Sequence, residues 1–435
     1  MNRLTLLLLL SISVSFGQVK LTKEDAINMA LENNYGIKIA NNYVNIAENN
    51  ASFYNSGYLP TLTGNAGSTF NKDNTNAVFS NGEDTHLNGA KSSRFNASAS
   101  FNYVLFDGLG RLYNYRQLKE QYNLSELQAR ETIEKTIVEL FTIYYKVAEL
   151  TENSSLLNKS LKISKDRLLR ANYQFEFGQN TKLSVLNAEV DVNNDSIALL
   201  NTKQLLANAK RDLSVVLGNN EIPDFNVDTN IRFIITKNKQ ELYEQLKINN
   251  ITLLQFEKNI KVSDFQLKAN KSGYLPTIGL TSTYGWSKNE NNPSSFLTES
   301  TNSGISTGFN LRWDLFNGGK TRTQVQNAKI NYENQILFKR EIELQITRDF
   351  NNAWEDYKTK LFILQTQEKN VETNKRNFSR TEDQFKLGQI TSIEFRQAQI
   401  NLLNAQSNLN QAKYDAKNAE LKLLQLTGDL LNTDF

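Results

Sequence analysis

Apolar positions recur with two different periods along this chain, and each period appears twice. Between residues 111 and 177, Leu140, Val147, Leu161, Leu168 and Phe175 fall on one seven-residue ladder that only Ser154 interrupts, with Ile143, Leu150 and Leu157 at the companion positions. Phe350, Tyr357, Leu364, Val371, Phe378 and Phe385 fill the equivalent ladder further on. A seven-residue apolar repeat makes a helix seek partner helices, as in a coiled coil. Neither glycine nor proline falls in 111–177, 179–217, 320–387 or 389–427. These spans predict two long helices, each followed by a returning helix after a reversal at Gly178 or Gly388.

The second period is two. Phe95, Ala97, Ala99, Phe101, Tyr103 and Leu105 alternate with Asn96, Ser98, Ser100 and Asn102. Ile305, Phe309, Leu311, Trp313 and Leu315 alternate with Ser306, Gly308, Asn310, Arg312 and Asp314. Weaker versions run from Leu62 to Phe70 and from Ile278 to Trp286. Alternation of this kind predicts strands with one apolar and one polar face, here about ten residues long, the length of a membrane-spanning strand. The segments 71–93 and 287–303, rich in Asn, Ser and Gly, read as exposed hairpin loops.

The recurrence is an internal duplication. Ser56-Gly57-Tyr58-Leu59-Pro60-Thr61 returns as Ser272-Gly273-Tyr274-Leu275-Pro276-Thr277, Leu105-Phe106-Asp107-Gly108 as Leu315-Phe316-Asn317-Gly318, and Gly218 as Gly428. Repeats on this scale are units of architecture. The first unit is 18–218, with a hairpin at about 61–106, and the second is 241–428, with a hairpin at about 277–316. Shorter helices near 26–55 and 241–271 precede each Tyr-Leu-Pro and supply further partners for the long helices. A linker at 219–240, with strand-like Arg232-Phe233-Ile234-Ile235, joins the units, and 429–435 forms a tail.

Composition changes the picture at three points. Arg3, the apolar run Leu4–Val14 and Ser15-Phe16-Gly17 read as a secretory signal peptide over 1–17, cleaved before Gln18. The absence of cysteine excludes disulfides and a lipid on an N-terminal cysteine. A balance of 49 basic to 46 acidic residues implies no nucleic-acid partner, and no later run is apolar enough for a transmembrane helix.

A sheet made of two such hairpins cannot close on itself, and lipid does not tolerate an open edge. A membrane location therefore requires oligomers: two, three or four chains would give about 8, 12 or 16 strands, and only the larger barrels leave a lumen. Catalysis finds no support. There is no phosphate loop, no nucleophile elbow and no base for a nucleophile, and the acids on the long helices, such as Glu382 and Asp383, read as a solvated face. His86, the one histidine, lies in a polar loop without the companions a metal site needs, so no metal and no cofactor are expected.

The order of helix, Tyr-Leu-Pro, hairpin, Leu-Phe-Asp/Asn-Gly, long helix, Phe-x-x-Gly-Gln and returning helix, run twice, resembles the TolC-like outer-membrane efflux proteins over essentially the whole mature chain. The resemblance implies a mainly α fold with a transmembrane β-barrel contribution. In it a homotrimer closes a 12-stranded barrel continuous with a periplasmic α-helical barrel, and the linker and tail lie in a belt around the tunnel's middle. It also implies a periplasmic adaptor, an inner-membrane transporter of the RND, ABC or MFS type, and outer-membrane lipid as partners, with passive export of unaltered substrates.

Carried over by position, the resemblance places adaptor docking at Phe177, Gly178 and Gln179 and at Leu387, Gly388 and Gln389. It places the tunnel's constriction at Glu394, with Gln397 at the second position, where the family has acids, and Ser184 and Asn187 as first-copy equivalents. The bland readings are a helix-turn glycine at each reversal and a solvated glutamate at 394. Tyr103, Trp286 and Trp313 are candidates for an aromatic girdle, with interior packing as the alternative. An exported trimeric coiled-coil stalk or adhesin would also explain the heptads, but not hairpins at matching places in both copies.

Overall fold

The computed structural model describes residues 19–219 and 225–433; the expected signal peptide and Phe435 lie outside the described residues. The two copies show the same element order. The first runs β1 (Val19–Leu21), α1 (Lys23–Asn33), α2 (Tyr35–Asn50), β2 (Thr61–Val78), β3 (Asp84–Phe106), α3 (Gly110–Glu176) and α4 (Lys182–Val216). The second runs β4 (Phe225–Val227), α5 (Lys239–Asn249), α6 (Ile251–Lys271), β5 (Thr277–Glu290), β6 (Glu299–Arg312), α7 (Lys320–Lys386) and α8 (Ser392–Thr427). Both long helices, α3 and α7, have 67 residues. Among the described residues no helix is long and apolar enough to cross a membrane.

The chain divides into two compact units. Among the described residues, one comprises 19–42, 127–219, 225–254 and 341–433, and the other Tyr43–Glu126 and Gln255–Arg340. The second contains an antiparallel sheet in the order β2-β3-β5-β6. Its strands reach beyond the ten residues that alternation marks: β2 has 18 and β3 has 23. Most of the expected loop 71–93 is therefore paired strand, turning only around Gly82, whose φ of 86° suits a residue without Cβ. Ser and Asn there continue the ladder, because a strand with both faces solvated carries no apolar signal.

Register assigns the faces. Leu62, Phe70, Phe95, Phe101, Tyr103, Leu280, Tyr284, Trp286, Ile305, Phe309 and Leu311 share one face; directly opposed pairs include Leu62 with Phe101, Ala97 with Trp286, and Leu280 with Phe309. The other face carries Thr63, Asn65, Asn96, Ser98, Ser100, Thr281, Thr283, Ser306 and Asn310. Neither face is packed within one chain: Leu62, Phe70, Ile305, Phe309 and Leu311 are all exposed. The edge strands β2 and β6 each have one neighbour. Trp313, expected on a strand, lies one residue past the end of β6, and its indole N–H donates to the Tyr274 carbonyl at 3.1 Å.

In the helical unit the upper heptad positions form the cores. Leu140, Val147, Phe141, Tyr144 and Tyr145 of α3 are fully buried with Ala26, Ala30 and Leu213, and Phe350 and Tyr357 of α7 pack with Leu242, Leu246 and Leu423. The starts of the two copies meet in a short parallel pair, β1 with β4, and the Tyr144 hydroxyl donates to the Leu21 carbonyl and accepts from the Asp228 amide, both at 2.8 Å. Burial pushes that hydroxyl's pKa up to about 12. The strand-like segment 232–235 pairs with no strand. Its Ile234 and Ile235 amides donate instead to the buried Glu420 carboxylate, and its Arg232 carbonyl accepts from the buried Lys417 amine at 2.7 Å. Two α8 side chains thus satisfy backbone that a ladder would otherwise serve.

The two copies also share one joint. Asn34, between α1 and α2, donates its amide to the Val216 carbonyl, and Asn250, between α5 and α6, donates to the Leu426 carbonyl, at 2.9 and 2.8 Å. Each asparagine closes the end of its copy's returning helix, just before Gly218 or Gly428.

Candidate functional site

The two helix reversals use the same backbone device. Gly178 and Gly388 have φ of 70° and 72°, the left-handed region that a side chain disfavours. The Gly178 amide donates to the Phe175 carbonyl and that of Gln179 to Gln174; the Gly388 amide donates to Phe385 and that of Gln389 to Gln384. This pairing satisfies the last carbonyls of α3 and α7 in the Schellman manner. An added Cβ at either glycine would meet no atom within 4 Å, so the chain itself leaves the surface over both glycines open. Phe177 and Leu387, immediately before them, are 76% and 72% exposed.

The returning helices start differently. In α8 the Thr391 hydroxyl accepts from the Glu394 amide, while Glu394 Oε2 accepts from both the amide and the hydroxyl of Thr391 at 2.8 Å. This capping box gives the Glu394 carboxylate a local structural role, and its hydrogen bonds from Thr391 hold its pKa below the usual range. In α4 the matching position is Ser184, whose hydroxyl donates to the Asn180 side chain at 2.6 Å, and Thr181 makes no such cap. Asn187, Glu394 and Gln397 are exposed, and Gln397 donates to Asn401.

Between the two reversals lies a cavity of about 730 Å³ lined from both copies, by Gln179, Ser184 and Asn187 on one side and Gly388, Thr391 and Gln397 on the other. It gathers two docking candidates, Gln179 and Gly388, and three constriction candidates, while Phe177, Gly178, Leu387, Gln389 and Glu394 do not line it. One wall is an ionic network that sequence reading missed. Arg396 of α8 donates to both Asp195 oxygens, at 2.6 and 2.9 Å, and to Ser164 at 3.1 Å. Arg167 of α3 pairs with Asp191, and the Gln399 amide donates to Ser160 and Ser164.

The buried positions of lower α3 are Ser160, Ser164, Arg167 and Ala171, spaced as a helical seam but mostly polar, so hydropathy passes over them. Burial alone would raise the Asp195 pKa, yet the hydrogen bonds from Arg396, Ser164 and Ser160 and the Arg396 charge outweigh it and hold the carboxyl below its ordinary value. The network fixes α3 and α4 against α8. On the other side, Phe395 of α8 stacks on Phe385 at 4.6 Å and meets Phe378 at 5.6 Å, closing α7 onto α8.

The girdle candidates separate. Tyr103 stands opposite Leu280 near the helix-connected end of the apolar face, and Trp286 opposite Ala97 nearer the hairpin tips, whereas Trp313 is off the strands. His86 Nδ1 lies 2.8 Å from Asn76 Oδ1, and no group of three metal-ligating side chains occurs among the described residues.

Comparison with known proteins adds the family. The outer membrane efflux protein family model matches residues 26–219 and 242–429, one match per copy. Over 428 residues the chain is 23% identical to the outer membrane efflux protein BepC of Brucella suis biovar 1, covering 97% of this chain and 88% of that one. It is 22% identical to TolC of Vibrio cholerae over 71% of each. Among solved structures, the Campylobacter jejuni CmeC outer membrane channel superposes with a TM-score of 0.75 at 16% identity, covering 94% of this chain and 86% of that one. The open-state MtrE channel of Neisseria gonorrhoeae gives 0.74 at 16% identity over 94% and 89%. With both copies matched by the family model, this chain, an outer-membrane channel and not an enzyme, belongs to the outer membrane efflux protein family.

Proposed function

We propose that three copies of this chain form the exit duct of a tripartite efflux or type I secretion system, through which substrates leave the periplasm unaltered. Channels of the TolC kind are homotrimers that work with adaptor proteins and inner-membrane pumps. The observation that carries the proposal is the sheet. One face is apolar and exposed, the other is Thr, Ser, Asn and Gly almost throughout, and both edges are unpaired. Closing the edges copy to copy satisfies every strand, turns the apolar face to lipid and leaves a hydroxyl-lined and amide-lined lumen. The same sheet gives the stalk reading no support.

Within this reading Tyr103 and Trp286 anchor the two ends of the lipid-facing band. The reversals at Phe177–Gln179 and Leu387–Gln389 receive the adaptor, because their open glycines and exposed apolar side chains offer backbone that another chain can approach closely. Glu394 and its neighbours stand by the duct's entrance. The partner transporter is of the RND, ABC or MFS type.

The test is efflux in a strain lacking its own duct. The double variant Gly178→Arg/Gly388→Arg should abolish drug resistance while detergent-stable trimers persist in the outer membrane. Full resistance with both arginines in place would remove the docking assignment. Loss of trimers would instead show that the reversals are needed for assembly.

A further inference from the structure

We propose that Lys72 and Lys91 form a binding site for the phosphate groups of the outer leaflet's glycolipid, at the rim of the lipid-facing surface. The inference rests on the barrel reading above. On β2 the apolar face runs from Leu62 through Ala66 to Phe70 and is interrupted at the next same-face position by Lys72. The eight residue-to-residue steps from Leu62 to Phe70 span ~27 Å along the strand. Tilted as barrel strands are, that approaches the roughly 25 Å apolar band of an outer-membrane barrel. The following position therefore falls at head-group level. It lies on the hairpin-tip side, away from the strand ends that lead to helices, which is the outer side in this reading.

The placement of charge at that level is uneven. Lys72 stands directly opposite Lys91 in the β2–β3 ladder, on the same face, and both are exposed. Like charges directly opposed across strands destabilise a sheet. Another lysine on this face, Lys288 opposite Phe95, is already neutralised by Glu290 at 3.1 Å and Glu299 at 3.4 Å. The remaining Glu290 oxygen accepts from the Ser93 hydroxyl at 2.7 Å. Among the described residues neither Lys72 nor Lys91 has an ion-pair partner, although carboxylates stand on the same rim. The two lysines open onto a cavity of about 420 Å³ with Phe70, Ser93 and Glu290 in its lining.

An apolar floor at Phe70 beside two unpaired ammonium groups suits an amphiphile with acyl chains below and a phosphate above, the Ser93 hydroxyl being already given to Glu290. A phosphate between the lysines removes the repulsion the ladder imposes, which a neutral head group cannot do. The three copies of a trimer would carry three such sites, each on the outward face.

The experiment uses purified trimers in a non-ionic detergent, titrated with a diphosphorylated hexa-acyl glycolipid and with the same glycolipid after removal of its phosphates. Binding is followed by native mass spectrometry and by tryptophan fluorescence, to which Trp286 on the same face contributes. The wild type should prefer the phosphorylated form by about tenfold or more, as two lysines at an anionic surface supply. K72Q/K91Q should lose most of that preference while single-channel conductance is unchanged. Equal affinity of the wild type for both glycolipids, with normal channels, overturns the lipid site and leaves the duct standing. If E299Q loosens trimers as K72Q does and no phosphate preference is found, the lysines pair with a neighbouring copy and the proposal fails. Absence of trimers and channels in the wild type would instead count against the barrel reading itself.

Discussion

Alanine at Gly428 and at Gly178 should destabilise the protein by clearly different amounts, although both glycines have nearly the same backbone conformation. Their φ values are 72° and 70°, so the left-handed cost of a Cβ, roughly 1–2 kcal/mol, applies equally. The reduction in unfolded-chain freedom on replacing glycine is also common to both and cancels in the comparison. What differs is space. A Cβ at Gly428 would sit 2.4 Å from the Asn249 carbonyl oxygen and 2.8 Å from its carbon, while one at Gly178 would meet nothing within 4 Å. Relief at Gly428 requires the backbone at Asn249 to move, and with it the Asn250 amide that donates to Leu426 at 2.8 Å. Overpacking of this kind costs about 1–3 kcal/mol, and loss of the hydrogen bond adds about 1 kcal/mol. The variant Gly428→Ala should therefore lose roughly 2–4 kcal/mol per chain more than Gly178→Ala. Guanidinium unfolding in detergent, followed by helical circular dichroism with a common slope, measures that gap. Equal losses would refute the claim that the asparagine joint is rigid and sterically closed.

Asp195→Ala should destabilise the helical unit by about 3–5 kcal/mol, because it strands the Arg396 guanidinium among buried groups. Asp195→Leu combined with Arg396→Met should recover most of that loss, as read by the same unfolding titration. Acid should weaken the same contact: the Asp195 pKa is depressed below its ordinary 3.8, so its contribution is fully present above that value and is lost as pH falls through the folded-state pKa. Unfolding midpoints from pH 6 down to about 2 should therefore fall less steeply in Asp195→Asn than in the wild type. Tyr144→Phe should cost about 1–3 kcal/mol by leaving the Asp228 amide without its acceptor and should loosen the β1–β4 pair, which hydrogen exchange at Phe225–Val227 reports.

Much of the architecture is legible in the sequence because it depends on periodicity and on breakers. Leu140, Val147, Phe350 and Tyr357 announce their seams by apolarity, and the glycines at 178, 218, 388 and 428 punctuate helices that end where left-handed backbone is required. The outer halves of β2 and β3 are less legible, since Asn71 to Ser93 carry no apolar face and their order comes from ladder pairing across the turn. Trp313 continues the alternation of β6 but pairs with nothing, because one residue of matching period does not extend a ladder. The ionic network around Asp195 is invisible to hydropathy. Asp191, Asp195, Arg167 and Arg396 come from three helices far apart in the chain, and each alone looks like a solvated charge. Glu394 was legible as an acid near the reversal, but its capping bond to Thr391 emerges only with the helix start in place.

Conductance of the purified protein in a planar lipid bilayer, with Glu394→Ala alongside, tests the central claim most directly. The account predicts discrete, long-lived channels from trimers, with cation preference reduced in the variant as the carboxylates at the entrance are removed. Channels identical in wild type and variant would keep the duct and discard Glu394 from its entrance. Trimers that insert yet never conduct would contradict the account, because a closed ring of these sheets has a polar lumen.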